Sequence, residues 1–265
     1  MTRSYNKVER EKERGAIKMN SSKIEIRNYM NYLTAIWKDV AENEIDSIEK
    51  AAELIFDSCK NGGRFYVFGS GHSHMVAEEI YIRAGGLAYV KGILPPELML
   101  HDMPNKSTYL ERLDGYSKSI LSLYKVEAKD TIMIVSNSGR NNVPVEMCLE
   151  AKKIGASVIA LTSMDHSSSV SSRHSSGKRM YEIADVTIDS HAPKGDAAFQ
   201  IEGLDVDLGP TSDFTSIGLA QTIIIGVVSK LKEANLEIPV FKSSNLDGAD
   251  EYNSQLFDKY YGYWK

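Results

Sequence analysis

The stretch Phe65-Tyr66-Val67-Phe68-Gly69-Ser70-Gly71-His72-Ser73 constrains this chain more than any other. Its apolar residues suit a buried strand, the strand stops at a Gly-x-Gly turn, and a helical pattern begins at once. Free backbone amides and a hydroxyl therefore meet at a helix N-terminus, where an anion is stabilised. The same order of features returns later: an apolar run from Thr131 to Val135, then Ser136-Asn137-Ser138-Gly139-Arg140-Asn141, then another helical pattern. Two strand ends of this kind point to one phosphate site built from both.

The rest of the composition narrows the classes. At 265 residues with 42% apolar content the chain can bury one good core and lies near the size at which domains split. A formal charge of −5 argues against a broad nucleic-acid surface. Cys59 and Cys148 alone cannot supply a disulfide framework or a Cys-rich zinc site. No apolar run reaches the roughly 18 residues of a membrane span, and the start lacks a signal peptide's apolar segment. The expectation is a cytoplasmic protein with neither nucleic acid nor membrane as partner.

Residues 1–20 are too polar to pack and read as a disordered leader. Residues 21–62 read as a helical extension. Tyr29, Leu33, Ile36 and Val40 form one stripe, and Ala41, Ile45, Ile48, Ala52 and Ile55 continue it with a shift near Val40, so one kinked helix or two are expected. Asn61-Gly62-Gly63 is the stop. Residues 63–235 form the main domain, with strands at Phe65–Phe68, Leu87–Val90, Asp130–Val135, Ser157–Thr162 and Ala184–Ile188. Between them lie helical patterns at about 73–84, 116–124 and 144–154. Five strands alternating with helices imply an α/β fold with a doubly wound, five-stranded parallel sheet, whose ligands sit beyond the carboxyl ends of the strands. The Ser-rich segment 163–179 reads as a mobile surface loop, 190–210 as irregular, and Ile217–Leu231 as a helix apolar nearly all round and therefore buried. Residues 236–265 are read as a tail packed on the domain or on a dimer partner.

With these residues in view, the pattern over roughly 30–232 resembles the sugar isomerase (SIS) domain of phosphosugar-binding proteins. Gly69-Ser70-Gly71-His72-Ser73 is similar to that family's Gly-x-Gly-x-Ser turn, and Ser136-Asn137-Ser138-Gly139-Arg140-Asn141 to its Ser-x-Ser-Gly-x-Thr loop. The resemblance implies a flavodoxin-like sheet, a sugar phosphate as ligand, no cofactor and a homodimer or higher homo-oligomer. It places the phosphate on Ser73, Ser136, Asn137, Ser138, Gly139 and Asn141, with Gly71, His72 and Arg140 as further substrate contacts. Asn141 stands where Thr or Ser is usual, and Arg83 stands where phosphoheptose isomerases and muramic acid phosphate etherases carry a catalytic Glu.

A proton carrier must then come from elsewhere. Aldose–ketose isomerisation needs a base, commonly a carboxylate, and an acid to open the ring, often a His. The sequence offers Glu79 or Glu202 as the carboxylate and His191 as the imidazole, against the plainer readings of an i,i+4 ion pair with Arg83, a solvated loop Glu and a turn His. His72-x-His74 lacks acidic or Cys neighbours in sequence, so no metal is expected. The leading expectation is a cofactor-independent sugar-phosphate isomerase. A non-catalytic phosphosugar sensor and an amino-sugar-phosphate lyase or etherase are the alternatives.

Overall fold

In the computed structural model, residues 2–101, 103 and 105–262 are described, with side chains from residue 21 onward. The expected leader thus falls where the side chains lie outside the described residues.

Helix α1 (Thr2–Asn43) breaks at Glu44, just past the shift in its stripe, and α2 (Ile45–Lys60) continues. The end of α2 is set by Gly62 at φ +71: its N–H donates to the Cys59 carbonyl at 3.2 Å, and that of Gly63 to Ser58 at 2.8 Å. This double bond satisfies two orphan carbonyls and needs a residue free to turn left-handed. Then follow β1 (Phe65–Gly69), a 3-10 turn (Gly71–Ser73), α3 (His74–Ile80), β2 (Val90–Ile93), α4 (Lys106–Leu110), α5 (Tyr116–Leu123) and β3 (Thr131–Val135). The chain continues through α6 (Asn142–Ile154), β4 (Ser157–Thr162), α7 (Met164–Ser168), β5 (Val186–Asp189), β6 (Ala197–Phe199), β7 (Leu208–Pro210), α8 (Ser212–Glu233) and α9 (Ala249–Tyr261).

Strands β1 to β5 form one parallel sheet in the order β2-β1-β3-β4-β5. Side chains alternate between its faces. Phe65, Val67, Met133, Val135, Ile159 and Leu161 join α2, α3 and α8 in one core. Tyr66, Phe68, Ile132, Ile134, Val158 and Ala160 join α5 and α6 in the other. Each such buried large side chain contributes about 1.5–3 kcal/mol, which is why both faces must be covered. Strand order reverses at β1, with β2 on one side and β3 on the other, so the β1/β3 carboxyl ends mark the switch point.

Several boundaries differ from expectation for identifiable reasons. The helix after the first turn ends at Ile80, because Tyr81 is extended and Ile82 takes φ +46. Strand β2 lies C-terminal to the predicted Leu87–Val90, since Leu87 instead makes an antiparallel bridge to Val240. The tail packs on this sheet edge: the Tyr261 hydroxyl donates to the Val90 carbonyl at 2.6 Å, and Nζ of Lys91 to Tyr260 at 2.7 Å. The irregular stretch 190–210 contains the β6–β7 hairpin, held to α1 by Tyr29 packing on Phe199 at 5.3 Å and donating to the Pro210 carbonyl. The Ser-rich segment is ordered by Arg179, whose guanidinium donates to the carbonyls of Ser167, Ser168 and Val170. Helix α8 is long and apolar enough to cross a membrane by length and composition. It is not buried all round, however, for Leu219, Ile223 and Val227 face the core while Ile225 is 68% exposed.

Helices α2 and α8 cross where a Cβ on Gly226 would come within 2.9 Å of the Ala52 Cβ. No larger residue fits without separating the helices. Gly226→Val is expected to destabilise the fold by about 1–3 kcal/mol, read from urea unfolding.

Candidate functional site

The first loop closes tightly. A Cβ on Gly69 would stand 2.8 Å from the His74 amide nitrogen, so the strand end and the helix start can touch only through glycine. Gly71 turns at φ +58, and the Ser73 N–H donates to the Ser70 carbonyl at 3.2 Å. In the second loop the Gly139 N–H donates to Oγ of Ser136 at 3.2 Å, with Gly139 at φ +55 and its missing Cβ only 2.9 Å from Oγ of Ser167. Its amide is therefore engaged inside the loop, and the Ser136 hydroxyl keeps its proton for another acceptor. The Asn137 carbonyl accepts from the Ser163 N–H and the Thr162 hydroxyl, each at 3.1 Å, pinning the loop to the end of β4. Asn141 precedes α6 but makes no side-chain cap; Pro144 has no N–H and the Val143 N–H donates to the Glu111 carbonyl at 2.9 Å, which leaves the Asn142 amide for an anion.

Parallel pairing of Gly69 with Val135 sets the two loops side by side. An open cleft of about 440 Å³ lies between them. Gly71, His72 and Ser73 line it from the first loop, and Ser136, Asn137, Ser138 and Asn141 from the second. Gly139 sits behind the second loop. Arg140 does not line the cleft: a guanidinium nitrogen lies 3.5 Å from Oγ of Ser171, and its buried Nε makes no hydrogen bond.

The structure does not bring the three expected proton carriers to this cleft. Glu79 is on α3, ion-paired with Arg83 and 3.5 Å from Nε2 of Gln221. His191 takes φ +53 after β5 and places Nε2 3.2 Å from Oε1 of Glu44 at the α1–α2 break. Glu202 is exposed in the turn between β6 and β7, in a separate surface groove.

Other titratable groups occupy the cleft wall. Glu111, just after α4, bridges both loops: Oε2 accepts from the Ser70 hydroxyl at 2.8 Å, and Oε1 from Nδ2 of Asn141 at 2.6 Å. Arg173 steadies the arrangement by donating to Oδ1 of Asn141 at 2.7 Å. Burial pushes the Glu111 carboxyl above its ordinary value, with the Ser70 hydrogen bond working the other way. His166, on α7, has its pKa lowered by burial and then by Arg140 and Lys194. Its Nδ1 accepts from the Gly195 N–H at 3.4 Å, leaving Nε2 as the side that can carry a proton. Asp196 also lines the cleft, but its carboxylate is taken up by the Thr211 and Ser212 amides at the start of α8. Glu111 lies in the Pro-interrupted stretch of low periodicity and His166 in the Ser-rich one, and neither carries a motif that sequence reading could have used.

The family model of the SIS domain matches residues 28–163. A UPF0309 protein of Halalkalibacterium halodurans is 58% identical over 88% of this chain and 96% of its own. A second, from Geobacillus thermodenitrificans, is 39% identical over 89% of this chain and 94% of its own. Among solved structures, a phosphoheptose isomerase from Neisseria gonorrhoeae shares the fold with a TM-score of 0.52 at 17% identity, over 77% of this chain and 97% of that one.

The raised carboxyl has a consequence for stability. The folded chain holds the Glu111 proton to higher pH than the unfolded chain, whose carboxyl titrates near 4.5. This group's contribution to stability therefore falls as pH rises from 4.5 through the folded value, and it is fully regained on acidification. Glu111→Gln removes that slope. The stability of wild type minus that of Glu111→Gln, measured by urea unfolding, is expected to grow as pH is lowered from neutrality to 4.5.

Proposed function

Because the chain belongs to the UPF0309 family of SIS-domain proteins, we propose that its cleft binds a sugar phosphate and isomerises the sugar between aldose and ketose without a cofactor. The phosphate is held by the hydroxyls of Ser73, Ser136 and Ser138 and the backbone amides of Asn137 and Asn142. The anchored sugar then lies along the wall that carries Glu111 and His166. The observation that carries the reading is Glu111: a desolvated carboxyl with a raised pKa, held by one hydrogen bond to each of the two loops.

In the chemical step the Glu111 carboxylate takes the proton from the carbon next to the carbonyl, and the electron pair left behind forms an enediolate with its charge on the former carbonyl oxygen. The same group returns the proton to the neighbouring carbon. His166, neutral and protonated on Nε2, moves a proton between the two oxygens and assists opening of the ring. Burial raises the Glu111 carboxyl, which makes it the stronger base, and lowers the His166 pKa, which keeps the imidazole neutral. The phosphate anchor supplies orientation.

Sugar phosphates are expected to raise the melting temperature, since a ligand that binds only the folded state at 100 times its Kd adds about 2.7 kcal/mol. Ser138→Ala should weaken binding by about 1.5–3 kcal/mol, the worth of a hydrogen bond to a charged group. Glu111→Gln should retain binding and slow solvent-proton exchange at the carbon next to the carbonyl by about 10²–10⁴-fold, followed by NMR in deuterium oxide. Glu79→Gln and Glu202→Gln should exchange as wild type does. Binding with no exchange by wild type, across aldose and ketose phosphates, replaces the isomerase with a phosphosugar sensor.

A homo-oligomer belongs to the same reading. Ile45 at 64% and Ile225 at 68% exposure flank an apolar groove between α2 and α8 that a two-fold contact would cover. Sedimentation at micromolar concentration should give a dimer or larger species, and a monomer there removes this part of the proposal.

A further inference from the structure

Behind the first loop, away from the cleft lining, three side chains converge. His74 opens α3 and is 1% exposed, Glu78 follows one turn later on the same face, and His101 arrives from the loop after β2. Nδ1 of His74 lies against the carbonyl oxygen of Gly71. A carbonyl only accepts, so Nδ1 carries a proton, and in the neutral ring Nε2 presents a lone pair. That buried Nε2 is 3.4 Å from Oε1 of Glu78 yet makes no hydrogen bond. The same Oε1 lies 3.7 Å from Nε2 of His101, and the two imidazole rings stand edge to face with centroids 5.3 Å apart. A buried imidazole nitrogen beside a carboxylate oxygen with no hydrogen bond between them is unfavourable unless a cation sits there.

We propose that His74, Glu78 and His101 form a binding site for a divalent transition-metal ion, zinc in the first instance. The distances favour that ion. Zinc bonds of about 2.0–2.1 Å in a tetrahedron put ligand atoms about 3.3–3.4 Å apart, close to the two separations measured around Oε1. All three ligand atoms lie within 4.8 Å of one another, and His101, 61% exposed on its side chain, has room to turn its ring inward. Magnesium and calcium are disfavoured by two nitrogen donors, which suit zinc and its neighbours in the first row. The Gly71 carbonyl orients His74 from behind, as the second partner of a metal-bound imidazole usually does. Three protein ligands leave a fourth position to water on the solvent side, where Glu78 is 43% exposed.

The site is joined to the cleft by short links. Gly71 lines the cleft and holds His74, while Leu100 lines the cleft beside His101 in sequence. A bound ion ties the loop after β2 to the start of α3 and so fixes two parts of the cleft wall. The pairing differs from the His72-x-His74 spacing visible in sequence: His72 faces the cleft, and the partners of His74 are Glu78 and His101.

The test uses the full chain, stripped with a chelator, desalted, and titrated with zinc in competition with a chromophoric chelator. One zinc per chain with a Kd below about 1 μM is expected. Glu78→Gln and His101→Ala, both at exposed side chains, should each weaken zinc by about 100-fold or more, while His174→Ala in the Ser-rich segment should bind as wild type. Cobalt loaded in place of zinc should show the intense visible bands of a four-coordinate site in wild type and lose them in His101→Ala. Absence of stoichiometric zinc binding, or undiminished affinity in His101→Ala, overturns the proposal. No sugar phosphate enters the measurement, so its failure leaves the isomerase reading untouched.

Discussion

The pairing of β1 with β3 is the constraint on which the rest of the molecule depends. In register from Phe65 with Thr131 to Gly69 with Val135, it brings two distant chain segments to the same edge at the same height. Each strand ends in a loop that cannot continue the ladder, and each loop feeds a helix. A parallel sheet covered on both faces leaves only the ends of its strands free for polar chemistry. Every feature of the cleft follows from that placement: the two amide-rich turns, the close approach that demands Gly69, and the carboxylate of Glu111 held between them.

Glu111 is the point where the two loops are tied together. Its desolvation is a cost, met by hydrogen bonds from Ser70 and Asn141 and by the Arg173 contact behind Asn141. The same contacts fix the distance between the loops. A buried carboxyl used only as a strut could be replaced by a neutral group with the same bonds. One that lines a cleft with a raised pKa can also carry a proton. His166 lines the same cleft from another element, with the opposite shift, and Arg179 holds the segment that carries it. The buried, unpartnered Oδ1 of Asn137 and Nε of Arg140 lie in this same neighbourhood, so polar strain is concentrated around the second loop.

The helical additions serve this centre indirectly. Helices α2, α3 and α8 seal one face of the sheet, and α8 starts where Asp196 gathers the Thr211 and Ser212 amides, which keeps the β6–β7 hairpin close to the cleft. The tail closes the β2 edge through Tyr261 and the buried Lys91, whose pKa burial lowers to about 7. An edge strand that would otherwise offer unpaired backbone is thereby covered.

The sequence by itself determined what depends on neighbouring residues. The five apolar runs mark the strands, Asn61-Gly62-Gly63 stops α2, and the glycines and hydroxyls of the two loops mark the turns after β1 and β3, because turn chemistry and side-chain period are local properties. Boundaries slipped where tertiary contacts outweighed the local pattern, as when Leu87 left the sheet to bridge Val240. The carboxylates named from the sequence, Glu79 and Glu202, stand on plausible elements, yet one pairs with Arg83 and the other faces solvent. Only the tertiary structure decided that Glu111 and His166 share the cleft, and that His74 meets His101 rather than His72. The reason is physical: these groups come together through the closure of irregular loops. Loop closure carries no periodicity, and the distance between two side chains across it depends on everything the loops pack against.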